Sequence, residues 1–164
     1  MSAFDSAVEH AVWKIEKFRD VVDFRKSQPF KVIEFEGNLL LNEGINELWN
    51  MAAGDESGNF FDNTNAHLGV GDSDAAASAS QTGLQAAVNK LYKGMEAAYP
   101  MYGSNQQIIF QAVFEAADAN FDWNEFTVAN GDSDAAVNLN RKVAAQGTKA
   151  SPQVWTLTLT LTLT

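Results

Sequence analysis

The sequence predicts a mainly β domain: an antiparallel β-sandwich or barrel with one helix, at about residues 42–53, packed on it. Three observations carry this expectation. The chain closes on WTLTLTLTLT, ten positions that alternate an apolar residue with β-branched Thr, the period of two expected of a strand. Short apolar runs recur between clusters of Gly, Asn, Asp and Ser roughly every dozen positions, the rhythm of strands joined by turns. One stretch, LLLNEGINELWNMAAG, spaces Leu41, Ile45, Leu48, Trp49 and Ala52 at helical intervals. At 164 residues one core suffices, because a chain of this size buries roughly 70% of its unfolded surface.

Taken in order, residues 4–12 (FDSAVEHAV) suit a short helix capped by Asp5 or Ser6, and VWKIEKF then alternates as a half-buried strand. VVDFRKSQPFKVIEFEG reads as two strand-like runs around a turn at Lys26–Pro29, since Pro29 has no ladder donor. In the helix at 42–53, Asn42 suits the N-cap and Gly54 the C-terminal stop, with Gly44 as the one interruption. HLGVG is a short apolar strand, AASASQTGLQAAV is ambiguous between helix and extended surface, and VNKLYKG is a strand followed by a loop holding Tyr99, Pro100, Tyr102 and Gly103. QIIFQAVFEA carries Ile108, Phe110, Ala112 and Phe114 on one face and Ile109, Gln111 and Val113 on the other, a strand buried largely on both sides. WNEFTVA and LNRKVAA complete the set. The expected division is an N-terminal arm or hairpin extension over residues 1–36 and a β-sandwich domain over 37–164.

Hydrophobic residues at 46% and charged residues at 20% match a compact globular chain rather than a disordered or fibrous one. The net charge of −10, from 21 acidic and 11 basic residues, comes without any run of Lys or Arg. Direct nucleic-acid binding and docking on anionic lipid are therefore not expected. Without cysteine there are no disulfides, thiol nucleophiles or Cys-zinc sites. No apolar stretch is long enough for a membrane helix, and MSAFDSAVEHAVWKIEKF lacks the basic flank of a signal peptide, so a soluble protein made in a cytoplasm is the expectation.

Candidate chemistry is sparse. GDSDAA occurs at 71–76 and again at 131–136, but after Asp74 and Asp134 come alanines where a calcium loop needs further oxygen ligands. The two copies read as the same acidic turn used twice, because residues 77–90 and 137–150 share no apolar pattern. His10 and His67 stand beside no second ligand or nucleophile motif. Asp118, Asp122 and Glu125 near Trp123 suggest a glycosidase pair, but acids at strand ends are ordinary in an acidic chain. No catalytic, cofactor or metal residue is assigned and no cofactor is expected. The stripe Trp155, Leu157, Leu159, Leu161 and Leu163 is a candidate assembly interface, since so long an uncharged strand must be central or paired across a subunit boundary. Tyr99, Tyr102 and Trp123 are candidate surface-binding aromatics for a glycan or receptor.

In order, LLLNEGINELW, LGVGDS, SQTGL, NEFTVANG, LNRKV, GTK and WTLTL resemble small virion structural proteins of tailed bacteriophages, and more loosely the repeating unit of tail-fibre and tail-collar proteins. The matching positions are Val70, Gly71, Thr82 and Leu84, then Asn124, Glu125, Asn130, Gly131 and Arg141, and finally Lys149 and Trp155; residues 38–160 are covered. The first 36 residues have no counterpart in the fibre-type unit, and the Leu-Thr repeat exceeds its closing strand.

The resemblance implies a non-enzymatic building block of the particle: a capsid decoration or cement protein on the outer head surface, with the major capsid protein and copies of itself as partners, a trimer by analogy. The arm would then reach across neighbouring capsid subunits. A tail, neck or fibre-adaptor subunit is the alternative within that class, and a carbohydrate- or receptor-binding β-sandwich is the rival outside it.

Overall fold

The computed structural model describes residues 9–164. It is an antiparallel β-sandwich with two helices. In chain order the elements are β1 (Glu9–Phe18), α1 (Val21–Arg25), β2 (Lys31–Glu36), β3 (Leu39–Leu40), α2 (Asn42–Ala52), β4 (His67–Gly71), β5 (Lys90–Gly94), β6 (Met101–Ser104), β7 (Gln107–Phe114), β8 (Glu125–Ala129), β9 (Asn140–Val143) and β10 (Val154–Leu163). One five-stranded sheet runs β2-β1-β10-β7-β6 and the other β3-β9-β8-β4-β5.

The Leu-Thr strand is the centre of the first sheet. β10 pairs with β1 from Glu9↔Leu163 to Phe18↔Val154, and on its other side with β7 from Trp155↔Phe114 to Thr162↔Gln107. With a period of two, this register turns Trp155, Leu157, Leu159 and Leu161 inward against Trp13, Ile15, Phe110, Ala112 and Phe114, and all nine are buried. Burial of each leucine stabilises the fold by about 2 kcal/mol. The threonines take the outer face, where β-branching suits the pleat. The stripe expected as an assembly interface is therefore interior, apart from Leu163. Its edge-strand hazard is removed by pairing within the chain.

The second sheet contributes Leu68, Val70, Phe126 and Val128 to the same core. Aromatic rings bridge the layers: Trp123 meets Phe114 and Trp155 edge-on, each at 4.8 Å between centroids, and Trp13 lies 5.6 Å from Phe126. Trp123 is thus a core residue, not a surface aromatic.

Residues 9–36 are laid into the sandwich. β1 carries Trp13 and Ile15 into the core, and β2 pairs with it from Val12↔Glu36 to Lys17↔Lys31. The hairpin expected around Lys26–Pro29 does not form, because its first run, Val21–Arg25, is helix and β2 pairs with β1 instead; no boundary of packing separates residues 9–36 from the remainder of the sandwich. The helix expected over residues 4–12 falls partly outside the described residues; 9–12 are strand, because Ala11 and Trp13 face inward while Val12 and Lys14 face out.

The connection between β1 and β2 holds a helix that the alternation reading misses. Asp20 accepts hydrogen bonds from the backbone N–H groups of Val22 (2.8 Å) and Asp23 (3.0 Å), capping the single turn of α1. The longer helix lies where expected, with Gly54 at φ +83° ending it. Its N-cap is Leu41 rather than Asn42, which is already helical. Gly44 in its first turn has a packing reason: a Cβ there would lie 2.5 Å from the Leu139 backbone, so only glycine lets the helix seat on that strand lead-in. β6 falls in the stretch expected to be loop. It pairs with β7 through a turn whose central residues Asn105 and Gln106 have φ of 56° and 54°.

Candidate functional site

The chemistry-bearing side chains gather in two places, the outer face of the second sheet and the turn that follows β7, and in both they serve the fold. On β8 and β9, Glu125 and Arg141 are wholly buried beneath the segment 72–89. Arg141 Nε donates to Glu125 Oε2 at 2.8 Å and Nη2 lies 2.7 Å from the same oxygen, while Nη1 donates to the Ala75 carbonyl (2.8 Å) and Gln81 Oε1 (3.1 Å). Glu125 also accepts from the backbone N–H of Gln85 (2.9 Å) and Ala86 (2.7 Å). A Cβ on Gly71 would collide with the Glu125 carboxylate, so the HLGVG strand must be bare at that position for the acid to lie across it.

Both GDSDAA copies belong to this arrangement. In the first, Ala75 supplies a carbonyl to Arg141 and Asp72 accepts from Asn89 Nδ2 at 2.7 Å. In the second, Asp134 receives the Tyr92 hydroxyl at 2.5 Å, the Leu84 N–H at 3.1 Å and the Lys90 ammonium. Burial, and then the bond to the Asp134 carboxylate, push the Tyr92 phenol well above its usual range. The copies tie down the two ends of one strap, so the metal reading finds Asp134 fully engaged by protein donors.

The second place is the 115–120 turn. The buried Lys149 ammonium donates to the carbonyls of Glu115 (2.7 Å) and Asp118 (2.8 Å) and to Asn120 Oδ1 (3.1 Å). Burial lowers its pKa to about 8. Burial opposes ionisation of Asp118, but the Lys93 ammonium at 2.7 Å and the Glu115 N–H outweigh it and hold that carboxyl below its ordinary value. Of the glycosidase trio, Asp118 and Glu125 are thus bound into separate ion pairs, and Asp122 is bonded to the Thr148 hydroxyl.

Among the described residues, apolar depressions lie toward the ends of the sandwich. At one end, two depressions of about 450 and 390 Å3 share Leu48, Ile108 and Leu139 as a common wall between α2 and the β6–β7 hairpin. Leu163 and Tyr102 stand at this groove, 57% and 77% exposed, with Phe60 and Leu48 also exposed. Of the residues expected to bind, Tyr102, Leu161 and Leu163 line this groove; Tyr99 is half-buried, and its carbonyl accepts from Asn63 Nδ2 at 2.6 Å.

Comparison with protein-family models, with curated proteins and with solved structures returns no match. The surface itself must carry the reading.

At the opposite end, α1 and the loop after it expose Val21, Val22 and Phe30. The sequence shows a signal here that a search for unbroken basic runs passes over. Lys17, Arg19, Arg25, Lys26 and Lys31 fall within fifteen residues that hold only Asp20 and Asp23 as acids, whereas no Lys or Arg lies between Val32 and Asn89. Asp20 caps the helix and Asp23 pairs with Arg19 at 3.5 Å. Arg25, Lys26 and Lys31 are exposed and enter no ion pair among the described residues.

Proposed function

We propose that this chain is a non-enzymatic structural protein of a tailed-bacteriophage virion, acting by contact rather than by chemistry, and most specifically a decoration or cement protein on the outer head surface. The observation that carries the reading is the division of labour among its side chains. The buried ionisable groups Glu125, Arg141 and Lys149 are consumed by bonds that hold loops to the sandwich, while Leu48, Phe60, Tyr102 and Leu163 stand exposed at the groove and Val21, Val22 and Phe30 at the α1 turn. The ordered motif resemblance over residues 38–160 supplies the particle. The major capsid protein and other copies of the chain are the partners in this reading, and the virion exterior is its location.

A glycan- or receptor-binding module is weakened by the burial of Trp123, which breaks up the platform it would share with Tyr99 and Tyr102. The tail or adaptor alternative is separated from the head by imaging. Cryo-EM of purified particles is expected to show density of this fold regularly spaced over the capsid; density confined to the tail would overturn the decoration assignment.

A further inference from the structure

The two exposed apolar ends lie at opposite ends of the same strands. β1 starts with Glu9 in the wall of the groove and ends at Phe18, two residues before the α1 cap; its ten residues span roughly 30 Å. β10 runs the other way, with Leu163 at the groove and Val154 beneath α1. One end holds the groove; the other carries the exposed turn of α1 beside a smaller depression lined by Val21, Phe24, Val113 and Glu115.

The ends also differ in charge. No Lys, Arg or His lines either depression of the groove, and Glu9 and Asp62 do. Glu43 and Glu47 on α2 and Asp55 and Glu56 in the loop after it make the helix that walls the groove acidic, with no Lys or Arg on it. The α1 turn presents Val21, Val22 and Phe30 among Arg25, Lys26 and Lys31, with Glu115 the one acid in the depression beside it. Apolar contact with charge complementarity at the rim is the arrangement that fixes partner and orientation at interfaces.

We infer that the chain self-associates head to tail: the basic, apolar α1 turn of one copy seats in the acid-rimmed groove between α2 and the β6–β7 hairpin of the next. Such an interface is heterologous, so copies add in one direction and either close into a ring or continue as a filament. Like ends repel, which disfavours the symmetric dimers that either surface alone would form. The inference deepens the contact role proposed above by naming a second copy as the partner, but it stands without the virion. Failure of self-association in solution leaves the particle location to imaging, and absence from particles leaves the association intact.

Sedimentation velocity on the full chain and two surface variants tests it. In one variant, Val22→Asp with Arg25→Glu disables the turn; in the other, Leu48→Lys with Tyr102→Lys disables the groove. All four positions are solvent-exposed, and circular dichroism checks that both variants keep the wild-type fold. The wild type is expected to form larger species as concentration rises, and each variant alone to stay monomeric. An equimolar mixture of the variants is expected to form a one-to-one dimer that grows no further, because one copy keeps an intact groove and the other an intact turn. A wild type that stays monomeric at several hundred micromolar, variants that assemble like the wild type, or a mixture that remains monomeric would overturn the inference.

Discussion

Arg141 and Glu125 form an ion pair with both side chains removed from solvent, 2.7 Å between Nη2 and Oε2. The pair joins neighbouring strands β8 and β9, and through Ala75, Gln81, Gln85 and Ala86 it fixes the strap that crosses them. Removing one partner strands a charge in a low-dielectric site. Arg141→Leu is therefore expected to destabilise the fold by about 3 kcal/mol, and the double variant Arg141→Leu/Glu125→Leu by less than the sum of the two single changes. Urea denaturation of the three variants measures this; strict additivity would show that the pair is not coupled.

The two GDSDAA copies make a matched comparison. Asp134 holds Tyr92, Lys90 and the Leu84 amide, whereas the equivalent Asp74 is exposed and makes no side-chain bond among the described residues. Asp134→Ala is expected to cost about 1–3 kcal/mol and to speed hydrogen exchange at Leu84, Gln85 and Ala86. Asp74→Ala is expected to stay within about 0.5 kcal/mol of wild type. Equal effects would mean that the repeat has one role in both places.

The closing strand yields a contrast along a single stripe. Leu159 is wholly buried and Leu163 is 57% exposed. Leu159→Ala is expected to cost about 3 kcal/mol by opening a cavity in the core, and Leu163→Ala less than about 0.5 kcal/mol. Thermal denaturation separates them. Deletion of the chain from Ser151 onward removes the strand between β1 and β7 and is expected to leave no folded protein; a soluble, cooperatively unfolding product would contradict its central position.

Alkaline pH gives a signed expectation. Burial, with Lys31 nearby, lowers the Lys17 pKa to about 8, and burial, with Lys93 nearby, does the same at Lys149. Between pH 8 and the ordinary lysine value the unfolded chain holds more protons at these sites than the folded one, so their contribution to stability rises with pH, by on the order of 1 kcal/mol. The Tyr92 phenol is shifted upward, so its contribution is complete below the ordinary tyrosine value near 10 and is lost above it. Unfolding free energy by chemical denaturation is thus expected to rise from pH 8 toward about pH 10 and then to fall. A steady decline from pH 8 would contradict the lysine assignment.

Residue order discloses some of these relationships and hides others. Alternation over ten positions in WTLTLTLTLT specifies a strand and its two faces, and an uncharged strand of that length has to be covered; whether β1 and β7 or a second subunit covers it depends on pairing partners more than a hundred and about forty residues away in sequence. α2 was legible because its apolar spacing spans three turns, and α1 was not, because a five-residue helix is defined by the Asp20 cap rather than by periodicity. Trp123 lies two residues before β8, where alternation says nothing of depth, and the convergence of Phe114, Phe126 and Trp155 buries it. The charge division between residues 17–31 and 32–89 was present in the sequence, but its meaning needs the fold, which puts α1 at one end of β10 and Leu48 of α2 beside the groove at the other.

The central claim, that this chain is a building block of a virion, is tested most directly by quantitative mass spectrometry of gradient-purified phage particles. The account predicts that the chain sediments with the particles and stays with them through washing, in a fixed ratio to the major capsid protein. Recovery of the chain only in the soluble fraction of the lysate, with none in washed particles, would contradict it.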